Sequence, residues 1–341
     1  MTFIDSSSFA TSAFPLKKEE HQNPEPLIHF PELLIVEDKL QDSFRRADGI
    51  IKETCSRLLS SGGKRLRPLL TLKSSQCFGP LNTSTIQAAV AAELIHMASL
   101  IHDDVIDRSD LRRGMPTTNS EHGNQIAVLT GDYVFAEAFH ILSSGQLQTS
   151  MTYLVEAIKS MCDGEVHQAE DRFNLAIDQN TYFKRISQKT GVLLASCCQS
   201  GAATAGASLE DIQHLRDYGL NLGYAYQIID DILDFTGDAQ MTGKPVAADL
   251  INGYITLPVI YLLENPLYGP WAQEILQKKE LSASDVLKII QALISSEALD
   301  DAFATALHCA QNAIRSLEQI PSSPAKAFLM DLTHTVLYRK A

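Results

Sequence analysis

The chain has 341 residues, 45 % of them hydrophobic and 20 % charged, and its 41 acidic side chains against 28 lysines and arginines give a net charge of −13. This balance supports a buried core and excludes nucleic acid or an anionic lipid surface as a natural partner, yet it leaves room for an anionic small substrate where a metal ion inverts the local field. The six cysteines, Cys55, Cys77, Cys162, Cys197, Cys198 and Cys309, form no CxxC pair, so they read as buried thiols in a reducing, cytoplasmic setting rather than zinc ligands or a disulfide frame.

Residues 1–27 are rich in Ser, Thr, Phe and Pro and lack the basic start and apolar block of a secretion signal, which predicts a disordered leader. Residues 28–341 follow as one domain without repeats or a dividing linker. Pro31 suits a first helical turn, and a helix over residues 32–59 is expected to stop at Ser60, Ser61, Gly62 and Gly63. Residues 62–68 then read GGKRLRP. The glycines let backbone approach a ligand, Lys64, Arg65 and Arg67 supply cations, and a helix starting here aims N–H groups at an anion. A helix stop followed by a solvated basic turn would look the same.

Capping residues at 82–85 predict a second long helix, running through Asp107 and ending before Gly114 and Pro116. Within it, residues 94–107 read LIHMASLIHDDVID, and far downstream residues 223–234 read GYAYQIIDDILD. Each holds a DDxxD: Asp103, Asp104 and Asp107 in the first, Asp230, Asp231 and Asp234 in the second. The outer aspartates of each lie four residues apart, on one helix face. Like charges at that spacing cost roughly a few tenths of a kcal/mol, and aspartate is a poor helix former. A solvated acidic face is the plain alternative, but Leu100, Ile101, Val105 and Ile106 flank one cluster and Ile228, Ile229, Ile232, Leu233 and Phe235 the other. Carboxylates set among such side chains must be paired or hold cations, and nearby lysines are too few. Oxygen ligands without His or Cys suit magnesium, which takes one or two carboxylates, keeps waters and binds substrate phosphates.

Basic residues accompany each cluster. Arg112 and Arg113 follow the first, and Lys189-Thr190 and Lys244 stand on either side of the second; arginine forks match phosphate oxygens. Residues 209–235 place Ile212, Leu215, Leu222, Tyr226, Ile229 and Leu233 on one helical face. Alternating strand patterns are absent, Asn252-Gly253 is the lone hairpin signal, and no apolar run reaches the about 20 residues of a membrane span. The expected architecture is all-α, one bundle of about ten or more helices around a central cavity.

GGKRLRP, SLIHDDVIDRSDLRRGMPT, YQIIDDILDFTGD, TGKPVAADL and TLPVIYLL, in that order, resemble the trans-type polyprenyl diphosphate synthases over nearly the whole chain from about Asp42. The resemblance implies an all-α fold whose two DDxxD motifs face each other across a deep cavity, with magnesium, about three ions per site, as cofactor. It further implies that Asp103, Asp104, Asp107, Asp230, Asp231 and Asp234 hold the metal, and that Arg112, Lys189, Thr190, Gln227 and Lys244 contact an allylic diphosphate. Lys64, Arg67, His96 and Arg113 would hold isopentenyl diphosphate; without the resemblance, a lone His96 on an apolar helix would read as a core residue. Tyr254 stands where many shorter-chain members carry lysine, which removes one expected cationic contact. The implied reaction is ionisation of the allylic diphosphate, attack by the isopentenyl double bond and loss of a proton.

In such an enzyme the growing tail must run along the helix that carries Asp103. Ala98 and Ser99, five and four residues before it, are small where short-product members place aromatic rings, and Ile95 lies one turn deeper. Tyr133, Phe135 or Phe139 would form the floor. A long product is therefore expected, heptaprenyl or a neighbouring length, rather than a fifteen- or twenty-carbon one. The stretch ELIHMASLIHDDVID is most similar to the catalytic subunits of bacterial heptaprenyl diphosphate synthases, which implies either a homodimer or a heterodimer with a small regulatory subunit. A terpene cyclase would lack GGKRLRP and the second DDxxD, and a non-catalytic partner subunit would have lost aspartates.

Overall fold

The computed structural model describes residues 30–60, 62–237, 246–278 and 280–339; the expected leader and Lys244 lie outside them. The described chain is helical almost throughout. Helix α1 (Pro31–Ser43) starts with its proline in the first turn and buries Leu33, Val36 and Leu40. The single helix expected over residues 32–59 is in fact two, because α2 spans Gly49–Ser60. Phe44 and Ala47 keep the apolar spacing across the break, both buried, while Gly49 adopts φ +57° to begin the new helix. Periodicity therefore hid a turn that only the backbone reveals.

Helix α3 (Leu66–Gln76) follows the basic loop. Helix α4 (Thr83–Ile106) is capped by the Asn82 side chain, which accepts from the Thr85 N–H at 2.9 Å. It buries every residue from Ala88 to Ile95, the mark of a central helix enclosed on all sides. Next come a two-residue strand pair, β1 (Leu111–Arg112) and β2 (Met115–Pro116), joined antiparallel. Arg113 (φ 52°) and Gly114 (φ 75°) form the connecting turn, both in the left-handed region that a two-residue primed hairpin loop requires. The hairpin thus lies at Arg113-Gly114, whereas Asn252-Gly253 closes a helix end without one.

The remaining elements are α5 (Thr118–His122), α6 (Asn124–Ser143), α7 (Gln148–Glu170), α8 (Gln179–Ile186), a π-helical turn (Ser187–Gly191), α9 (Val192–Thr204) and α10 (Leu209–Thr236). After them come α11 (Ala248–Ile251), α12 (Leu257–Glu264), α13 (Gly269–Leu276), α14 (Ala283–Ser295), α15 (Ala298–Ser316) and α16 (Pro324–Leu337). Helix α4 packs on α3, α6 and α9, and α10 packs on α9 and α15, so α3, α4, α9 and α10 make the centre. Close approach is built in at one crossing: a Cβ at Gly223 of α10 would stand 2.6 Å from the Gly191 Cα, a contact that glycine alone avoids.

Two expectations need correction. Helices α4 and α6 are long and apolar enough to cross a membrane by length and composition, but the window in α4 is 67 % buried inside the bundle; the sequence hides this because polar residues punctuate both. Cys162 is exposed, unlike the other five thiols, since it sits on α7 where that helix borders the cavity described next.

Candidate active site

One cavity of about 1080 Å³ opens among α2, the basic loop, α4, α6, α7, α9 and α10, just above the about 300–1,000 Å³ common for ligand sites. Charged side chains share its lining with an apolar set, Leu58, Met97, Leu100, Phe135, Ile158 and Met161.

The two acidic clusters end the two long central helices. Asp103 and Asp104 occupy the last turn of α4 and Asp107 caps it, while Asp230, Asp231 and Asp234 fall in the final turns of α10; neither helix carries a basic residue in its last turn. Asp103 and Asp230 both line the cavity, from different walls. Burial first, then the neighbouring Glu165, pushes the Asp103 carboxyl up to about 7, although Lys189 opposes the shift. Burial also raises Asp230, against the pull of Arg339 and Lys64.

The other carboxylates are engaged by protein groups. Arg112 Nε donates to both oxygens of Asp104 at 3.0 Å, and its Nη2 lies 2.8 Å from Oδ1. Asp231, 2 % exposed, accepts from the Tyr182 hydroxyl at 2.6 Å and from Gln227 Nε2 at 2.9 Å. Asp234 accepts from the backbone N–H groups of Ala248 and Asp249, each at 3.1 Å. So the partners the sequence reading sought among lysines are mostly arginines, hydroxyls and backbone.

The π-helical turn delivers the next two residues. Its wider ring shifts the register between α8 and α9, and such turns recur at functional sites. Lys189 Nζ lies 2.7 Å from Glu165 Oε1, and Asp103 and Asp107 also raise its pKa after burial lowers it. Thr190 donates to Gln227 Oε1 at 2.8 Å, which extends a chain from Thr190 through Gln227 to Asp231 and Tyr182.

The second cationic set lies across the mouth. Lys64, Arg67, His96 and Arg113 all line the cavity. Arg67 Nε is buried with no hydrogen-bond partner among the described residues, an orphan donor that an anion would satisfy. Burial, Arg67, Arg112, Arg113 and Arg65 together hold His96 neutral, well below the usual imidazole range. Burial also lowers Lys64, with Arg339 and Arg113 adding to it.

The chain-length residues separate. Ser99 faces the cavity; Ala98 and Ile95 do not, and both are fully buried elsewhere. At about 100° per residue Ala98 stands roughly 140° round the helix from Asp103, and Ser99 only about 40°. Of the three floor candidates, Phe135 lines the cavity and Tyr133 and Phe139 do not. Tyr254 lies within electrostatic reach of Asp107 and Lys189, its ring 6.0 Å from the Arg172 guanidinium.

Three residues of the site carried no sequence signal strong enough to find them. Glu165 is one acid on an amphipathic helix. Arg339 follows α16, yet its Nη2 lies 2.6 Å from Asp230 Oδ1 and its guanidinium 3.6 Å from the Tyr226 ring. Tyr226 itself reads as one more apolar-face residue of α10.

Divalent cations fit this arrangement. No three His, Cys, Asp or Glu side chains among the described residues converge into a cage. However, Glu165, Asp103 and Asp107 all act on Lys189, and Asp103 and Asp230 bring carboxylate oxygens to the cavity from two walls. Magnesium is held in this way, by one or two carboxylates and substrate phosphates rather than an all-protein cage.

Comparisons with known proteins agree with the geometry. The polyprenyl synthetase family model matches residues 48–293. The heptaprenyl diphosphate synthase component 2 of Geobacillus stearothermophilus is 36 % identical over 302 residues, covering 88 % of this chain and 93 % of that protein. The crystal structure of heptaprenyl diphosphate synthase from Staphylococcus aureus superposes with TM-score 0.86 at 34 % identity, over 91 % of this chain and 98 % of that one. A polyprenyl synthase from Caulobacter crescentus, complexed with calcium and isoprenyl diphosphate, gives TM-score 0.85 at 32 % identity, over 91 % and 95 %.

Proposed function

Because the chain belongs to the polyprenyl synthetase family, and is a prenyltransferase of its long-chain trans type, we propose that it adds isopentenyl diphosphate repeatedly to an allylic diphosphate. The product is of heptaprenyl or neighbouring length, suited to a quinone side chain. One observation carries this reading: carboxylates of two helix ends, two cationic sets and a run of apolar side chains line one and the same cavity.

Magnesium bound at Asp103, Asp107 and Asp230 would neutralise the leaving diphosphate. Arg112, Lys189, Thr190 and Gln227 orient the allylic diphosphate at that end, with Lys244 outside the described residues. Asp104 fixes Arg112, and Asp231 fixes Gln227, so these two carboxylates act through the residues they hold. Lys64, Arg67, His96 and Arg113 bind isopentenyl diphosphate opposite. Neutral His96 can donate one hydrogen bond without adding charge. The allylic cation meets a dry wall, which slows its capture by water. No side chain is required as a nucleophile.

The Geobacillus relative is named as a component, and α6 leaves Val128 and Leu129 exposed on an apolar helix, which supports a subunit contact: a homodimer or a pairing with a small regulatory subunit. Free cysteines support a reducing, cytoplasmic setting. Incubating the protein with radiolabelled isopentenyl diphosphate, magnesium and farnesyl diphosphate, then sizing the dephosphorylated alcohols, tests the proposal. Alcohols near thirty-five carbons are expected; cyclised hydrocarbons, or no elongation with or without a partner subunit, would overturn it.

A further inference from the structure

Arg65 sits in the middle of the basic loop, and as a bare sequence it looks like one more phosphate contact. The structure uses it otherwise. Its side chain is 9 % exposed and spans three elements. Nε and Nη2 both reach Glu37 of α1, Nη2 at 3.2 Å from Oε2. Nη1 donates to Glu93 Oε1 of α4 at 3.0 Å, and Nη2 also donates to the Leu59 carbonyl that ends α2 at 3.1 Å. Two carboxylates and a carbonyl thus saturate the fork, and little of its charge remains for a ligand.

The residue also holds an uncommon backbone. Arg65 is the N-cap of α3 with φ 46° and ψ 38°, a left-handed conformation that costs a non-glycine residue free energy. Lys64 precedes this kink and Arg67 follows it in the first turn of α3. Its guanidinium lies against Gly63, with the Arg113 guanidinium on the same side: a Cβ at Gly63 would stand 3.1 Å from Arg65 Nη1 and 3.3 Å from Arg113 Nη1. Arg113 in turn donates to the Gly62 carbonyl. Glu93, 4 % exposed, keeps Oε2 unpartnered among the described residues and attracts both arginines.

We propose that Arg65, clamped by Glu37 and Glu93, is a positioning residue that sets the loop carrying Lys64 and Arg67 for isopentenyl diphosphate, so that α1, outside the cavity, governs affinity for that substrate alone. The proposal rests on the functional reading above. It differs from a general docking role for α1, because α1 has a second, separate tie: Glu32 accepts from Gln76 Nε2 at 3.0 Å and lies 3.7 Å from Lys73 Nζ.

That second tie supplies the control. Glu37→Gln keeps shape and removes the charge that holds the fork; Glu32→Gln weakens α1 docking without touching Arg65. The KM of isopentenyl diphosphate, the KM of farnesyl diphosphate and kcat are measured for both, with calorimetric binding of isopentenyl diphosphate to the magnesium-loaded protein. Glu37→Gln is expected to weaken isopentenyl diphosphate about tenfold, the cost of one charge-assisted hydrogen bond, with the other two parameters within about twofold. Arg65→Lys, which cannot span both carboxylates, is expected to weaken it further, and Glu32→Gln to leave it unchanged. Unaltered isopentenyl affinity in Glu37→Gln, or an equal loss in Glu32→Gln, would overturn the proposal. A wild type that binds no isopentenyl diphosphate would instead overturn the functional reading on which it stands.

Discussion

A phenyl ring at Ser99 and one at Ala98 should have opposite consequences. Ser99 faces the cavity one helical turn, about 6 Å, below Asp103. Its hydroxyl merely bonds the His96 carbonyl at 2.9 Å, so Ser99→Phe gives up little and projects a ring into open space. Folding should change by less than about 1 kcal/mol. The tail, however, must pass that point, so products should stop at about fifteen to twenty carbons, that is, after at most one addition to farnesyl diphosphate. Ala98 is fully buried on another face, where added volume has no cavity to enter. Ala98→Phe should cost about 1–3 kcal/mol through overpacking and lower the melting temperature by about 2–8 °C, with product length shifting only as far as the damaged core allows. Chromatography of the alcohols and thermal melts of both variants decide the matter. A stable Ala98→Phe that shortens the product, beside a Ser99→Phe that does not, would refute the assignment of the tail to this cavity.

Asp103→Ala and Asp230→Ala should each lower kcat by at least about a hundredfold, as loss of charge stabilisation does, whereas Arg113→Ala should mainly raise the KM of isopentenyl diphosphate; steady-state kinetics with each substrate varied would show it. A chelator should abolish turnover and magnesium restore it, and full activity in excess chelator would remove the metal from the reaction. The third expectation concerns acid. The Asp103 carboxyl is pushed up to about 7 from an ordinary value near about 4. The metal-free fold then keeps a proton that the unfolded chain releases, so this group's contribution to stability falls as pH rises between those two values and levels off above. Relative to Asp103→Asn, wild type should lose on the order of 1–3 kcal/mol across that window, read from denaturant midpoints at several pH values without metal.

What the sequence disclosed depended on how local each signal was. The capping residues at 82–85, the spacing along α10 and the paired aspartates are carried by residues near one another, and the helices stand where those signals put them. The break between α1 and α2 was illegible because Phe44 and Ala47 preserve the apolar spacing through it. The π-helical turn has no spacing of its own; its close contacts are tertiary, with Gly191 against Gly223 of α10 and Gln188 against Gly164 of α7. Side-chain direction was the other blind spot. A DDxxD names three acids but not where each carboxylate turns: Asp104 goes to Arg112, and Asp234 to the backbone N–H groups of Ala248 and Asp249. Ala98 and Ser99 are neighbours in sequence and about 100° apart in space. Glu165 and Arg339 reach the site through tertiary packing, which one sequence without relatives does not encode locally.

The placement of both acidic clusters at helix C-termini has a cost that appears only when the metal is gone. Each such end carries the partial negative charge of the backbone dipoles, and here aspartates are added to it with no basic residue in either last turn. Arg112 and Arg339 offset Asp104 and Asp230, so the unrelieved part of that field falls on Asp103 once it has lost its proton, and a neutral side chain there would relax it. Cations bound between the two clusters, as proposed, would relieve two unfavourable helix ends at once and join α4 to α10, so substrate-bound metal should tighten the bundle as a whole, in proportion to its occupancy. On the proposed mechanism, the substitutions that would calm the field are those expected to end catalysis, which would hold these positions back from greater robustness.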